Sequence, residues 1–325
     1  LINAKISAFG CYVPPDVLTN QDLEKLVDTN DEWILSRTGI HTRHIAAPDV
    51  ATSDLAFEAA KICLAQRGMD PGDLDAILVS TVTPDMFFPS TACLVQNRLG
   101  AHGAWGFDIS AACSSFVYGL TVGANLIRGG THKRVLVIGA DTMSRIIDYT
   151  DRATCILFGD GAGAFLLEEG DGYVAFHNEI DGSGGDALKM PAGGSRMPSS
   201  HETVDHRLHF VKQEGQAVFK YAVRKMEEAS LAVIRKAGLQ PSDIKVLIPH
   251  QANMRIIRAT AERLGLGEDR VIINIDRYGN TTAATIPLAT RDAVEQGKLK
   301  NGDYVLFVTV GAGFTVGANI WRWSI

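Results

Sequence analysis

Gly68-Met-Asp-Pro71-Gly-Asp73-Leu-Asp-Ala-Ile-Leu-Val-Ser80 recurs 170 residues further on as Gly238-Leu-Gln-Pro241-Ser-Asp243-Ile-Lys-Val-Leu-Ile-Pro-His250. Each copy reads as a glycine helix stop, a Pro-x-Asp turn and an apolar run of strand length. The same offset carries Val135-Leu136 onto Val305-Leu306, and Cys113 onto position 283 inside the apolar segment 281–288. Gly161-Ala-Gly-Ala-Phe-Leu-Leu167 is echoed by Gly313-Phe-Thr-Val-Gly-Ala-Asn319 once an insertion is allowed. Strands alternating with helices, repeated at one long offset, imply two related α/β halves packed about a pseudo-twofold axis.

The elements around the repeat follow from local signals. Residues 1–10 alternate like a strand, and Asn20 or Asp22 can cap a helix starting near Gln21. Residues 31–39 form a short helix closed by Gly39, and Thr52-Ser53-Asp54 opens an amphipathic helix (Leu55, Ala59, Ile62, Leu64) ending at Gly68. Strands are expected over 75–80, 105–109, 134–139, 165–168 and 271–275, with a helix from Ser90 to Gly100. The surplus in 140–230 carries a Gly-rich run (181–185, Gly193-Gly194) and three histidines (His201, His206, His209), and reads as loops capping a site. The spacing of those histidines matches no metal-ligand motif, and no metal is expected.

Composition excludes several classes. With 325 residues, 46% of them hydrophobic, the chain can bury one large core or two joined ones. A net charge of −6 leaves no basic excess for phosphates, so no nucleic acid is expected. Five unclustered cysteines (Cys11, Cys63, Cys93, Cys113, Cys155) point to a reducing compartment without a zinc site. The N-terminal stretch has no basic region followed by an apolar one, so the expectation is a cytoplasmic protein. Charge-free segments 110–127 and 304–321 are short for a bilayer; the second, with Gly311, Gly313 and Gly317, suits two strands joined by a glycine turn.

Three residues carry chemistry. Asp108-Ile-Ser-Ala-Ala-Cys113-Ser-Ser-Phe116 runs from a strand into a helix over 113–128 that is apolar on nearly every side, hence a core helix. Gly119 and Gly123 within it suggest close approach of another backbone. A cysteine in the first turn meets unpaired N–H groups and the positive helix end, which favour thiolate; a small buried hydrophobe is the plainer alternative. His250 stands at the carboxyl end of a buried strand, where α/β sites form, or is a hydrogen-bonded core histidine. Asn280, in Tyr278-Gly279-Asn280-Thr281-Thr282, either caps a second core helix or joins the site. The two halves bring all three to the entrance of the core.

The set of motifs resembles the β-ketoacyl-acyl carrier protein synthase III family of the thiolase-like superfamily. It is carried by residues 108–113, Pro249-His250-Gln251-Ala252-Asn253-Met254-Arg255, Gly279-Asn280-Thr281-Thr282-Ala283-Ala284 and Gly311-Ala-Gly313-Phe314-Thr. Asp31-Glu-Trp33-Ile34, Arg37-Thr-Gly-Ile, Thr150-Asp-Arg152 and Phe158-Gly-Asp-Gly-Ala-Gly extend it to nearly the whole chain. The resemblance implies an α/β thiolase-like fold, two pseudo-twofold halves (1–172 and 173–325) forming a five-layered αβαβα core. It implies Cys113, His250 and Asn280 as the catalytic residues, and an oxyanion hole from the N–H groups of Cys113 and Gly313. Coenzyme A would meet Trp33, Arg37, Arg152, Gly215, Phe219, Ala252 and Asn253. An acidic carrier protein would dock on residues 251–255 (Gln251, Ala252, Asn253, Met254, Arg255), with Arg258, Lys212, Lys220 and Arg224 as further cations. Phe88, Met143, Leu157 and Phe314 would bound the acyl group, Phe88 coming from the partner in a homodimer. The implied substrates are a short acyl-CoA and malonyl-acyl carrier protein, with no cofactor; a relative using another acyl starter in secondary metabolism is the alternative.

Overall fold

The computed structural model describes residues 2–325. The first sheet contains β1 (Ala4–Tyr12), β2 (Ala76–Ser80), β3 (Trp105–Ile109), β4 (Arg134–Asp141) and β5 (Gly161–Glu169), ordered β1-β5-β4-β2-β3. The second contains β6 (Tyr173–Ile180), β7 (Ile244–Pro249), β8 (Tyr304–Gly311) and β9 (Thr315–Arg322), ordered β7-β8-β9-β6. Strand β2 runs parallel to β3 and β4, as β7 does to β8, and the remaining pairs are antiparallel. The repeat is visible in the element bounds: β4 and β8 begin at Arg134 and Tyr304 and end at Asp141 and Gly311, each pair 170 residues apart.

Seven longer helices complete the layers: α1 (Asp31–Thr38), α2 (Thr52–Arg67), α3 (Thr91–Leu99), α4 (Ser115–Arg128), α5 (Gly215–Ala237), α6 (Met254–Arg263) and α7 (Thr285–Glu295). Helices α4 and α7 lie between the sheets, where Phe116, Leu120 and Ile286 meet Leu78, Val137, Val246 and Phe307. The intervening residues Ile77, Val79 and Leu136 face outward under α2 and α3, and Leu247, Leu306 and Val308 face α5 and α6. Each strand therefore alternates between two dry environments, which is why its sequence reads as an unbroken apolar run. The result is five layers, αβαβα.

Five local expectations change. Thr19 rather than Asn20 or Asp22 caps the first short helix, accepting from the Asp22 N–H in a capping box. Residues 271–275 form no strand; Val271 makes one bridge to Leu247, so the second sheet lacks the edge that β3 supplies to the first. Strand β5 begins at Gly161, four residues before the apolar run, because α7 crosses it so closely that a Cβ on Gly163 would stand 2.4 Å from Pro287. Gly119 and Gly123 make room for the side chains of Val137 and Leu167, not for another backbone. Ile62, expected on the apolar face of α2, is exposed.

Phe116 sits edge-on to Phe165, ring centroids 5.1 Å apart, where α4 crosses the first sheet. Phe116→Ala should lower unfolding free energy by about 3–5 kcal/mol through lost burial and a residual cavity; a denaturant midpoint shift at unchanged m-value checks it.

Candidate active site

Cys113 lies in a 3-10 turn, Ala112–Ser114, that leads into α4 rather than in the helix itself. The turn opens on Ala112 at φ +48°, a left-handed conformation that costs a non-glycine residue and needs its surroundings to hold it. The other half holds it: Ser114 Oγ donates to Thr315 O at 3.1 Å and Thr315 Oγ1 to Ala111 O at 2.9 Å. Asp108, at the head of the motif, is occupied in capping α3, accepting from the N–H groups of Thr91 and Ala92 at 2.7 and 2.8 Å.

The thiolate expectation needs correction. Burial pushes the Cys113 thiol up to about 12, the negative charge of Asp141 adds to this, and a backbone hydrogen bond offsets part of it. Burial thus favours the thiol over the thiolate, so a proton has to leave the sulfur when it is acylated.

His250 lines the same cavity as Cys113. Its N–H donates to Val308 O at 2.8 Å, continuing the ladder of β7, and its Nδ1 lies 2.7 Å from Thr285 Oγ1. Burial drives the imidazole down to about 3, so it is neutral. The Thr285 hydroxyl has two acceptors in reach, Thr282 O at 3.1 Å and Nδ1 itself. Turning from one to the other decides which ring nitrogen carries the proton. Sequence reasoning passed over Thr285; its register against Ser115 at the repeat offset was the available signal.

Asn280 lines the cavity and caps neither helix, since Thr281 precedes the 3-10 turn and Ala284 precedes α7. Its Oδ1 accepts from the Thr282 N–H at 2.9 Å, while its backbone bonds with Leu157 and Gly159 across the halves. With the oxygen so engaged, the amide NH2 is the end left for the cavity that Asn280 lines.

That cavity, about 650 Å³, has Cys113, His250 and Asn280 among its walls, with Trp33, Arg37, Gly215, Phe219, Ala252 and Asn253 along the rest. Arg152 lies outside the lining, its guanidinium 4.8 Å over the Trp33 ring while it donates to Asp28 O; Arg37 is 6.0 Å from the same ring. A cationic, aromatic mouth and an apolar throat leading to a thiol suit a long polyanionic thioester. Beneath the mouth, buried Arg43 ties Asn20, Leu18 and Ile156 together, a brace that sequence reading missed.

The remaining candidates separate. Leu157 lines the cavity, whereas Met143 packs behind it with Ile156 and Phe158. Phe314 stacks on Tyr221 at 4.0 Å, outside the lining. Phe88 is 85% exposed beside Phe87 at 83%, outside the lining of this chain's own cavity. Gln251 is only 1% exposed, so it is not available at a docking surface; its amide donates to Pro249 O and Ile272 O and accepts from the Asn274 N–H, bracing the loop after β7. Met254 is part-buried against Gly39, while Arg255 is exposed, lying 5.3 Å over Phe219 at the cavity rim. Arg258 pairs with Glu268 at 3.4 Å; Lys220 and Arg224 are exposed and Lys212 is half-buried. Among the described residues, no group of three His, Cys, Asp or Glu could hold a metal, and no helix is long and apolar enough to cross a membrane.

Comparison with known proteins gives the family. Residues 107–182 match the family model for 3-oxoacyl-[acyl-carrier-protein] synthase III, and residues 234–323 match the model for its C-terminal part. The chain is 65% identical over 327 residues to a β-ketoacyl-[acyl-carrier-protein] synthase III of Solibacter usitatus, covering 99% of each. The chain belongs to the 3-oxoacyl-[acyl-carrier-protein] synthase III family. A crystal structure of such a synthase from Aquifex aeolicus superposes with TM-score 0.91 at 44% identity, over 98% of this chain and 100% of that one. The priming β-ketosynthase from the R1128 polyketide biosynthetic pathway superposes with TM-score 0.91 at 32% identity, over 99% and 96%. The enzyme is thus a condensing acyltransferase with the thiolase-like fold.

Because folded His250 resists protonation down to about pH 3 while an unfolded histidine titrates near 6.5, its contribution is complete above pH 6.5. It is lost progressively as pH falls from 6.5 toward 3. His250→Asn should flatten the pH dependence of unfolding free energy in that window by about 1.4 kcal/mol per pH unit, measured by denaturant titration at several pH values.

Proposed function

We propose that the enzyme starts fatty acid chains by a two-step acyl transfer: a short acyl-CoA, acetyl-CoA first among them, primes Cys113, and malonyl-acyl carrier protein then condenses with the acyl group. The observation that carries this reading is that Cys113, His250 and Asn280 wall one cavity lined also by Trp33 and Arg37. In the first step the Cys113 sulfur bonds to the acyl carbon as the bond to the CoA sulfur breaks. The thiol proton leaves on the CoA sulfur. The oxyanion is held by the Cys113 N–H and by Gly313 in the turn after β8, neither of which donates to a backbone carbonyl among the described residues.

In the second step malonyl decarboxylation generates an enolate, and its carbon attacks the acyl-Cys carbonyl, freeing the Cys113 sulfur. With Thr285 donating to Nδ1, the imidazole N–H stands at Nε2 and, with the Asn280 amide, donates to the thioester oxygen. Two neutral donors suit this step, because loss of CO2 replaces proton abstraction and no carboxylate base is needed.

Trp33 and Arg152 would take the adenine, and Arg37 the phosphates. Gly215, Phe219, Ala252 and Asn253 would flank the pantetheine arm. Exposed Arg255 at the rim is the best-placed cation for an acidic carrier protein. Leu157 bounds the acyl end, with Met143 behind it and Phe314 beside it. A homodimer would cover the exposed Phe87–Phe88 tip and the edge strand β3, and would bring Phe88 to the partner's acyl pocket. The reaction needs no cofactor, and its setting is the cytoplasm.

Radiolabelled acetyl-CoA should label the wild type and not Cys113→Ser; an unlabelled, folded wild type would refute acetyl priming. His250→Ala should still acylate but release carbon dioxide from malonyl-carrier protein at least about 100-fold more slowly. Arg255→Glu should raise KM for the carrier substrate about tenfold (about 1.4 kcal/mol) with KM for acetyl-CoA unchanged. The mass of the carrier product across a panel of acyl-CoA starters separates fatty acid initiation from secondary-metabolite priming.

A further inference from the structure

The pseudo-twofold repeat supplies an internal control for the acyl-transfer site. The offset of 170 residues pairs Ala112 with Thr282, Cys113 with Ala283, Ser115 with Thr285, and Asp141 with Gly311. The paired parts share one geometry. Both turns, Ala112–Ser114 and Thr282–Ala284, are 3-10, and both open on a left-handed non-glycine residue, φ +48° and +52°. Ser115 Oγ donates to Ala112 O at 2.7 Å, and Thr285 Oγ1 to Thr282 O at 3.1 Å. Each turn packs on the end of the central strand of the other half: Thr282–Ala284 on β4, Ala112–Ser114 on β8.

The symmetry breaks at one place. The Ala283 N–H donates to Asp141 Oδ2 at 3.1 Å, and the other oxygen of that carboxylate is held by Thr81, Val82 and Thr83. Asp141 and Ala283 are buried, and neither lines the catalytic cavity. The equivalent N–H, that of Cys113, meets no carboxylate or carbonyl among the described residues, only its own sulfur, and the residue facing it is Gly311, which does line the cavity. A Cβ built on Gly311 would lie 2.7 Å from Cys113 N, 2.8 Å from Thr315 Oγ1 and 3.1 Å from Ala111 O. Gly311 is not among the residues with positive φ, so its backbone conformation does not call for glycine. What calls for it is the space against Cys113.

We infer that Gly311 is a positioning residue for acyl transfer: having no side chain, it leaves the Cys113 N–H open to the thioester oxygen, whereas the mirror N–H at Ala283 is plugged by the Asp141 carboxylate. The inference rests on the acyl-Cys reading above. It also accounts for why only one of two matching turns is active. A carboxylate at position 311 would place negative charge where the oxyanion forms; even a methyl group would displace the amide that stabilises it.

Alkylation of the thiol needs no oxyanion hole, and acylation does, so the ratio of the two isolates the effect. In Gly311→Ala, the rate of Cys113 acylation by acetyl-CoA should fall about 100- to 1,000-fold, the loss typical of one oxyanion donor. The rate of Cys113 carboxamidomethylation by iodoacetamide should stay within about threefold of wild type. Acylation within threefold of wild type would overturn the inference, and so would an equal fall in both rates, which would mean a displaced thiol. If the single variant does not fold, Gly311→Ala with Thr315→Ala, which removes one of the clashing atoms, is compared with Thr315→Ala alone by the same ratio. A wild type that alkylates but never acylates would refute the acyl-Cys reading itself, a separate result.

Discussion

Each half of this molecule carries a turn that is stable only because the other half's central strand ends against it. The Ala112–Ser114 turn holds a left-handed alanine, and β8 and β9 keep it in place through Gly311 and the two Thr315 contacts. The Thr282–Ala284 turn holds a left-handed threonine, and β4 keeps it in place through Asp141. Backbone in that region costs on the order of 1–3 kcal/mol per residue and persists only where the surroundings over-determine it. Neither half could therefore present its site residues alone. The interface between the halves and the active site are one structure.

The same arrangement explains the electrostatics. Helices α4 and α7 are buried between two sheets, so the groups at their beginnings are dry. Dryness raises the Cys113 thiol and lowers His250, in each case favouring the neutral form. Two groups lining one cavity are thus both biased toward their neutral forms. Asp141 follows the same rule: burial raises it to about 6, while two N–H groups and two hydroxyls pull the other way. Its place between β4 and the Thr282–Ala284 turn ties the loop of Thr81 to the segment that carries Thr285, and through Thr285 to His250.

Much of this was legible in the residues. The two copies of the glycine, Pro-x-Asp and apolar-strand pattern are local signals, so the halves and most strands could be placed without contacts. Cys113, His250 and Asn280 stood out because each is a reactive or polar group at the mouth of an apolar segment. Less legible were groups whose role is defined by what lies across the interface. Thr285 reads as a helix residue until its hydroxyl is seen 2.7 Å from His250 Nδ1. Gln251 reads as a surface polar residue within a docking motif, yet its amide is fully used inside the loop. The run 271–275 has strand composition but reaches a single bridge, since strand pairing depends on a neighbour and not on propensity.

Sequence by itself determined the class of fold and the duplication and singled out Cys113, His250 and Asn280 as candidates, because hydrophobic period, turn chemistry and side-chain type are properties of the chain alone. The tertiary structure decided the shifts of Cys113 and His250 toward their neutral forms, the direction of the Asn280 amide, and which of two equivalent N–H groups meets a carboxylate. These depend on burial and on atoms about 170 residues away, through desolvation and contact distances that no local pattern encodes.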